Sequence, residues 1–212
     1  MLNTHNHRQF SAVGSNKLIN YNSNKSHILI EINLREILIT DLDNYYYWNL
    51  PEREFHKRNA PYFEKMTELE LRNHVAKIRA ELIKGKLESF TNKKIISNAK
   101  TNELIGEVSW YWKSQETKWL EIGIVIFNEK YWNKGIGKNA LTKWINNIFD
   151  ANLDLVRIGF TTWSGNIGMV KLGESLKFRK EAEYKKARIV NGKYFDSISY
   201  GILREEWYTE NN

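Results

Sequence analysis

Residues 121–145, EIGIVIFNEKYWNKGIGKNALTKWI, constrain the fold more than any other part of the chain. A β-type run passes through a short loop into Asn133-Lys134-Gly135-Ile136-Gly137-Lys138 and straight into a helical pattern. Leu141, Trp144, Ile145 and Ile148 fall on one face of that helix. With the buried-strand run LVRIGFTTW that follows, the segment makes one β–α–β unit. Glycines at the helix start remove the Cβ atoms that would keep an anion away from the backbone. The free N–H groups of the first turn, the helix dipole and two lysines then favour a phosphate or pyrophosphate. Two glycines alone also suit a plain tight turn. The pattern is not a dinucleotide-binding fingerprint, because the third glycine is replaced by Ala140, nor a Walker loop, because Gly137-Lys138 is followed by Asn139.

Residues 1–27, rich in Asn, Ser and His, read as a flexible tail, and residues 28–212 as one domain. The run ILIEINLREILI from Ile28 alternates like a strand. Asp41 can cap a helix from Asp43 to Leu50, ended by Pro51. A longer helix is predicted from Thr67 to Lys84, with Thr67 and Glu70 at capping-box spacing, Leu71, Val75, Ile78 and Leu82 as its stripe, and Gly85 as its stop. Three β-type runs follow (SFTNKKII, LIGEVSWYWK and KWLEIGIVIFN), with turns at Ala99–Asn102 and Ser114–Thr117. After the β–α–β unit, Asn166 to Leu176 reads as a helix, and Asn191-Gly192 joins the arms of a closing hairpin. This order predicts an α/β (α+β) fold: a mixed, mostly antiparallel sheet with helices on both faces.

Composition narrows the function classes. At 212 residues, with 42% hydrophobic and 27% charged residues, the chain suits one globular domain with a full core. No apolar run is long enough to span a membrane, the N-terminal segment lacks a secretory pattern, and we expect a cytoplasmic location with no membrane partner. The absence of cysteine excludes disulfides, zinc-thiolate sites and a thiol nucleophile. Histidines 5, 7, 27, 56 and 74 have no metal-ligand spacing, so no metal is expected. Of the net charge of +7, Arg8, Lys17 and Lys25 of the tail supply three, and the body intersperses Lys with Glu. With no RNA-binding motif present, nucleic acid is not the expected partner.

Trp132-Asn133-Lys134-Gly135-Ile136-Gly137 resembles the coenzyme loop, Arg/Gln-x-x-Gly-x-Gly/Ala, of the GCN5-related N-acetyltransferase superfamily. Trp in first position departs from the general pattern but is similar to the ribosomal-protein N-acetyltransferase (RimJ/RimL-like) branch, whose usual Gly is replaced by Asn133. TTWSGNIGMVKLGESLKF resembles that branch's second block, with Asn166 in register, and ARIVNGKYFDSISYGILREEW its closing hairpin. The likeness covers roughly residues 28–208. It implies acetyl-coenzyme A as cosubstrate, an amine acceptor, and a monomer or homodimer. It also implies a splayed strand around Gly123–Ile126, with Ile124, Val125 and Ile126 as contacts, whose backbone pairs with the pantetheine arm. Lys134, Gly135, Ile136, Gly137 and Lys138 would wrap the pyrophosphate, mostly by main-chain N–H, with Trp132 and Asn133 also binding the coenzyme, and Asn166 would sit near the thioester. Asn166 also suits a helix N-cap, and the two roles are compatible.

Acyl transfer to an amine needs a proton acceptor for the amine, a polarised carbonyl and a proton for the leaving thiolate. Glu121 is the candidate base, with a solvated strand-edge carboxylate as the alternative reading. Pairing the hairpin about Ser114–Thr117 puts Glu121 across from Trp110, on one face with Val108 and Trp112. Glu107 is the second candidate, although the same pairing sends it to the opposite face, level with Ile124, unless a bulge alters the register. A backbone N–H of Ile124 or Val125 would polarise the carbonyl. The positions where relatives carry a hydroxyl hold Met169 and Gly173, which leaves Tyr131, Tyr184 and Ser175 as proton-donor candidates. Trp110-Tyr111-Trp112, Tyr45–Trp48 and Tyr62-Phe63 suit an acceptor pocket or plain sheet packing, and His56 a gate or a surface position. The acceptor is expected to be a protein N-terminal amine or a small-molecule amine. A non-catalytic acyl-coenzyme A-binding module is the alternative.

Overall fold

The period-two runs become β1 (Ile32–Arg35), β2 (Lys93–Asn98), β3 (Leu104–Ser114), β4 (Trp119–Ile126), β5 (Arg157–Trp163), β6 (Arg179–Val190) and β7 (Lys193–Leu203). These come from a computed structural model that describes residues 30–211, so the expected tail and the start of the first strand run lie outside the described residues. The strands form one sheet in the order β1-β2-β3-β4-β5-β7-β6, and every neighbouring pair is antiparallel except β4 and β5.

Alternation along the strands sorts apolar side chains into two cores, one per face. Ile95 and Ile96 are both fully buried, yet they join different clusters. On one face Leu42 and Tyr45 of α1 (Leu42–Asn49) and Leu71, Val75 and Ile78 of α2 (Glu68–Ile83) close the core. On the other, α3 (Ile136–Ala151) contributes Leu141, Trp144, Ile145, Ile148 and Phe149, and α4 (Ile167–Ser175) packs Met169, Val170 and Leu172 against them. The mixed sheet with helices on both faces is therefore the one expected.

Thr67 caps α2 as its spacing predicts: the Glu70 N–H donates to Thr67 Oγ1 at 3.3 Å, and the Thr67 N–H donates to Glu70 Oε2 at 2.8 Å. Thr67→Ala should cost about 1 kcal/mol, lowering Tm by about 2–4 °C in a thermal melt, without changing ligand binding. Asp41, by contrast, does not cap α1 with its side chain. Its carboxylate takes both Arg35 Nη atoms, at 2.6 and 2.9 Å, and the Leu38 N–H at 2.8 Å. A buried carboxylate is better satisfied by a bidentate guanidinium than by one N–H.

The chain also ends differently from the expected closing strand. After β7 it turns into α5 (Arg204–Asn211), whose Trp207 is fully buried and donates Nε1–H to Asn146 Oδ1 at 2.7 Å. Arg204 donates to the carbonyls of Leu155 and Phe149, each at 2.9 Å, and so ties this helix to the end of α3.

Candidate active site

The site originates in one interruption of the sheet. β4 and β5 pair in parallel only at Leu120–Ile158 and Glu121–Gly159 and then diverge, so Gly123–Ile126 and Phe160–Trp163 form the arms of a fork. Along its outer edge β4 remains paired to β3; its fork-facing edge has no strand partner. Such an edge is a ready template for an extended ligand.

Glu121 stands at the apex. Its predicted neighbours are corrected by the register: a bulge between Trp112 and Ser114 shifts the hairpin by one residue, pairing Glu121 with Tyr111 and Trp110 with Ile122. Glu121 therefore shares a face with Tyr111, while Val108, Trp110 and Trp112 turn to the α3 side and pack in that core. The same shift pairs Glu107 with Val125, on the face of Glu121 and not opposite it. Glu121 is only 2% exposed, yet it is fully engaged. Oε2 accepts from the Tyr111 hydroxyl at 2.5 Å, and Oε1 from Lys113 Nζ and Thr161 Oγ1, each at 3.1 Å. Thr161 lies on the β5 arm, so one carboxylate ties both arms together where they part. Burial, then the Glu121 hydrogen bond, pushes the Tyr111 hydroxyl far above its ordinary pKa and keeps it a donor.

Glu107 lies further along the same face, beneath the helices. Lys93 Nζ donates to its Oε1 at 3.0 Å, and Oε2 is buried without a hydrogen-bond partner. Burial foremost, and then Glu107, pushes the Tyr45 hydroxyl up; burial, then Lys93, pushes His74 down. This is an internal polar cluster, and neither Glu107 nor Glu121 is among the walls of the cleft described next.

A cleft of about 490 Å³ opens along the β4 arm. Its walls include Ile124, Val125 and Ile126, the whole loop from Trp132 to Lys138, and Asn166. Every residue assigned to coenzyme contact from the sequence thus borders one cavity. Asn133 and Gly135 take left-handed φ values of 57° and 76°, and this pair of turns delivers the chain into α3. Gly135 is the N-cap and no side chain caps the helix, so first-turn N–H groups remain available beside Lys134 and Lys138. Trp132 fixes the loop to the strand by donating Nε1–H to the Ile126 carbonyl at 2.8 Å. Asn166 caps α4, its Oδ1 accepting from the Met169 N–H at 3.1 Å, while also lining the cleft.

Of the proton-donor candidates, the Tyr131 hydroxyl donates to Glu103 at 2.8 Å and Tyr184 is exposed on β6. Ser175 lines the cleft with its hydroxyl donated to the Leu172 carbonyl at 2.8 Å. Met169 forms part of the wall; Gly173 is set so closely that a Cβ would meet Phe160 Cζ at 2.5 Å.

Sequence reasoning missed the far wall. Phe55, Arg58 and Asn59, from a turn between α1 and α2, reach the cleft, and the Arg58 guanidinium stacks 4.4 Å from the Trp132 ring. Trp163 Nε1–H donates to the Arg58 carbonyl at 2.9 Å and ties this loop to the end of β5. His56 is half-buried beside Phe55, with its pKa lowered chiefly by burial, and is not the surface histidine of one reading. Tyr62 packs edge-on to Trp163, whereas Phe63 is exposed and Tyr45 belongs to the core. Among the described residues no cluster of His, Cys, Asp and Glu could hold a metal ion, and no helix is long and apolar enough to cross a membrane.

Residues 31–179 match the family model described as the acetyltransferase (GNAT) domain. The Bacillus subtilis (strain 168) uncharacterized N-acetyltransferase YoaA is 29% identical over 109 residues, 51% of this chain and 60% of that protein. The chain thus aligns with rather more than half the length of this curated relative. Among solved structures, the Vibrio cholerae spermidine N-acetyltransferase in complex with CoA and spermine superposes with a TM-score of 0.65 at 20% identity, over 84% of this chain and 98% of that one. RimL, a ribosomal L7/L12 alpha-N-protein acetyltransferase in complex with coenzyme A, gives 0.61 at 19% identity, over 81% and 93%. The fold, the forked sheet and the family match agree: the chain belongs to the acetyltransferase (GNAT) domain family.

Proposed function

We propose that this protein transfers an acetyl group from acetyl-coenzyme A directly to a primary amine within a ternary complex. The carrying observation is that the unpaired edge of β4 and the uncapped N-terminus of α3 border the same cleft. One end offers backbone partners for an extended amide-bearing arm, the other N–H donors and lysines for a pyrophosphate. These are the two chemically different halves of one coenzyme, and the bound coenzyme would supply the activated thioester. Solved relatives of the same fold hold CoA, which adds weight to this reading.

The amine nitrogen attacks the thioester carbonyl carbon, the C–S bond breaks, one proton leaves the nitrogen, and the departing thiolate takes one from solvent. N–H groups of Ile124 or Val125 on the open edge stabilise the carbonyl oxygen as it gains charge. Glu121 is too buried to meet an acceptor itself, whereas Tyr111 is half-exposed and bonded to it. The amine proton therefore passes to Glu121 through the Tyr111 hydroxyl, which receives one proton as it gives up another. Glu107 takes no part in this step. Within the family, the Trp132 loop and the Asn166 block favour the RimJ/RimL-like branch, so a protein N-terminal α-amine is the first acceptor to test and a small amine such as spermidine the second.

A non-catalytic acyl-coenzyme A-binding role is favoured by one feature: Met169 and Gly173 provide no hydroxyl, and that of Tyr131 is engaged elsewhere. Calorimetric titration with acetyl-coenzyme A, followed by free-thiol release with peptide and polyamine acceptors, separates the readings. We expect a micromolar Kd and acceptor-dependent thiol release. Binding without release would leave the module; no binding would end both.

A further inference from the structure

Beyond the fork, β6 carries a deformation that neither the coenzyme cleft nor the Glu121 apex uses. The β6–β7 register jumps between Tyr184–Ser197 and Arg188–Phe195, so residues 185–187 oppose Asp196 alone. Lys186 takes a left-handed φ of 55°, and its N–H donates to Asp196 Oδ1 at 2.9 Å. Bulges of this kind re-aim side chains. Here Arg188 is turned over the Tyr62 ring, its guanidinium carbon 4.7 Å from the centroid, beside Phe195 and Trp163, which meet edge-to-face at 4.8 Å.

Arg188 is unusually under-satisfied. Its Nε is buried without a hydrogen-bond partner, and the guanidinium joins no ion pair among the described residues. Asp196, the acid nearest on the partner strand, is already taken by Lys185 Nζ at 3.1 Å and the Lys186 N–H. Contact with a ring face accounts for the stack but leaves the buried N–H without an acceptor. Tyr62 in turn touches Trp163 at the end of the β5 arm. Trp163 shares a face of β5 with Thr161, whose Oγ1 donates to Glu121 at 3.1 Å. A path therefore runs from Arg188 through Tyr62 and Trp163 along β5 to Thr161 and Glu121, on the face opposite α3.

We infer that Arg188 is an acceptor-specificity residue and that the amine acetylated here belongs to a molecule bearing a carboxylate or phosphate several bonds from the nitrogen. This rests on the acetyl-transfer reading above. The guanidinium presents a planar fork suited to such an oxyanion, with the Tyr62 ring holding its other face. The spacing follows from the path: Tyr62, Trp163 and Thr161 stand between the cation and the fork apex, more than the single carbon of an α-amino acid can bridge. Polyamines, cationic along their length, would meet a like charge at this mouth. A peptide with an acidic side chain near its N-terminus and a small ω-amino acid present the same chemistry.

The test compares matched acceptors: 6-aminohexanoate against its carboxamide, a peptide beginning Ser-Ala-Glu against one beginning Ser-Ala-Gln, and spermidine. Wild type should favour each carboxylate in kcat/KM by about tenfold to a hundredfold, the worth of a hydrogen bond to a charged group. Arg188→Gln should erase that preference mainly through KM, with coenzyme affinity unchanged, and Arg188→Lys should restore part of it. Preference for peptide over aminohexanoate, or the reverse, identifies the source of the oxyanion. Equal rates across each pair, preference for spermidine, or a carboxylate preference that survives in Arg188→Gln would overturn the proposal. Should no acceptor release thiol, calorimetry of both acceptor pairs with the coenzyme A-loaded protein decides. Carboxylate-dependent binding lost in Arg188→Gln upholds the anchor and counts against acetyl transfer, whereas no carboxylate-dependent binding overturns the anchor.

Discussion

Replacing Gly135 with glutamate is expected to weaken acetyl-coenzyme A binding by about a hundredfold or more, the value of two or more charge-assisted hydrogen bonds, while the protein stays folded. A Cβ built at Gly135 meets nothing within 4 Å, so the substitution finds space. The backbone cost is the left-handed φ of 76°, about 1–2 kcal/mol for a residue with a Cβ. The new carboxylate would lie against the uncapped first turn of α3, where negative charge favours the helix. It would occupy the same N–H groups that the pyrophosphate needs and repel what it does not block. Gly135→Ala carries the same backbone strain without the charge. It should melt at a similarly lowered temperature yet bind within about tenfold of wild type, less than the loss of one such bond at its upper value. Calorimetry and thermal melts on the two variants separate anion competition from unfolding. Wild-type affinity in Gly135→Glu would place the pyrophosphate elsewhere.

The proposed coenzyme side of this site was legible because it is local. A strand, a left-handed glycine and a helix N-terminus are consecutive in the chain, and backbone atoms do most of the work. Trp132 through Lys138 border one cleft, as the resemblance implied, and Asn166 caps α4 as its position before a helix implied. The proposed acceptor side was legible only as candidates, Tyr62 among them, because its geometry is set by long-range choices. A single-residue bulge at Lys113 exchanged Trp110 for Tyr111 as the neighbour of Glu121, and a two-residue periodicity count has no means of seeing it. Arg58 and Tyr62 belong to a loop held by Trp163, about a hundred residues away in the chain. Arg188 owes its direction to a second bulge. The closing helix escaped because REEWYTEN has one deeply buried anchor, Trp207, and no helical stripe.

Glu121→Gln and Tyr111→Phe should each lower kcat by about two to three orders of magnitude, within the range of a lost general base, and the double variant should be no slower than the slower single one. The reason is connectivity. Glu121 is almost wholly buried, and its side chain's only hydrogen-bonded neighbours among the described residues are Tyr111, Lys113 and Thr161. Lys113 is a cation that supplies the balancing charge, and Thr161 binds inward to Ser199 at 3.2 Å. Tyr111 alone couples the carboxylate to a half-exposed hydroxyl. If that hydroxyl relays the proton, removing either partner disables the same step, and residues acting as one unit do not add. The hydroxyl must remain protonated to donate to Glu121, and burial together with the carboxylate keeps its pKa high; loss of activity toward high pH is therefore not expected from Tyr111 ionisation. Tyr111→Phe leaves Lys113 and Thr161 on Glu121, so its fold and its coenzyme Kd should match wild type. This distinguishes a relay from a strut: a carboxylate serving only to tie β4 to β5 would make Glu121→Gln less stable and Tyr111→Phe nearly fully active. Single-turnover rates of the four proteins, measured with acetyl-coenzyme A saturating, decide between them. Additive losses in the double variant would assign Tyr111 and Glu121 to separate steps.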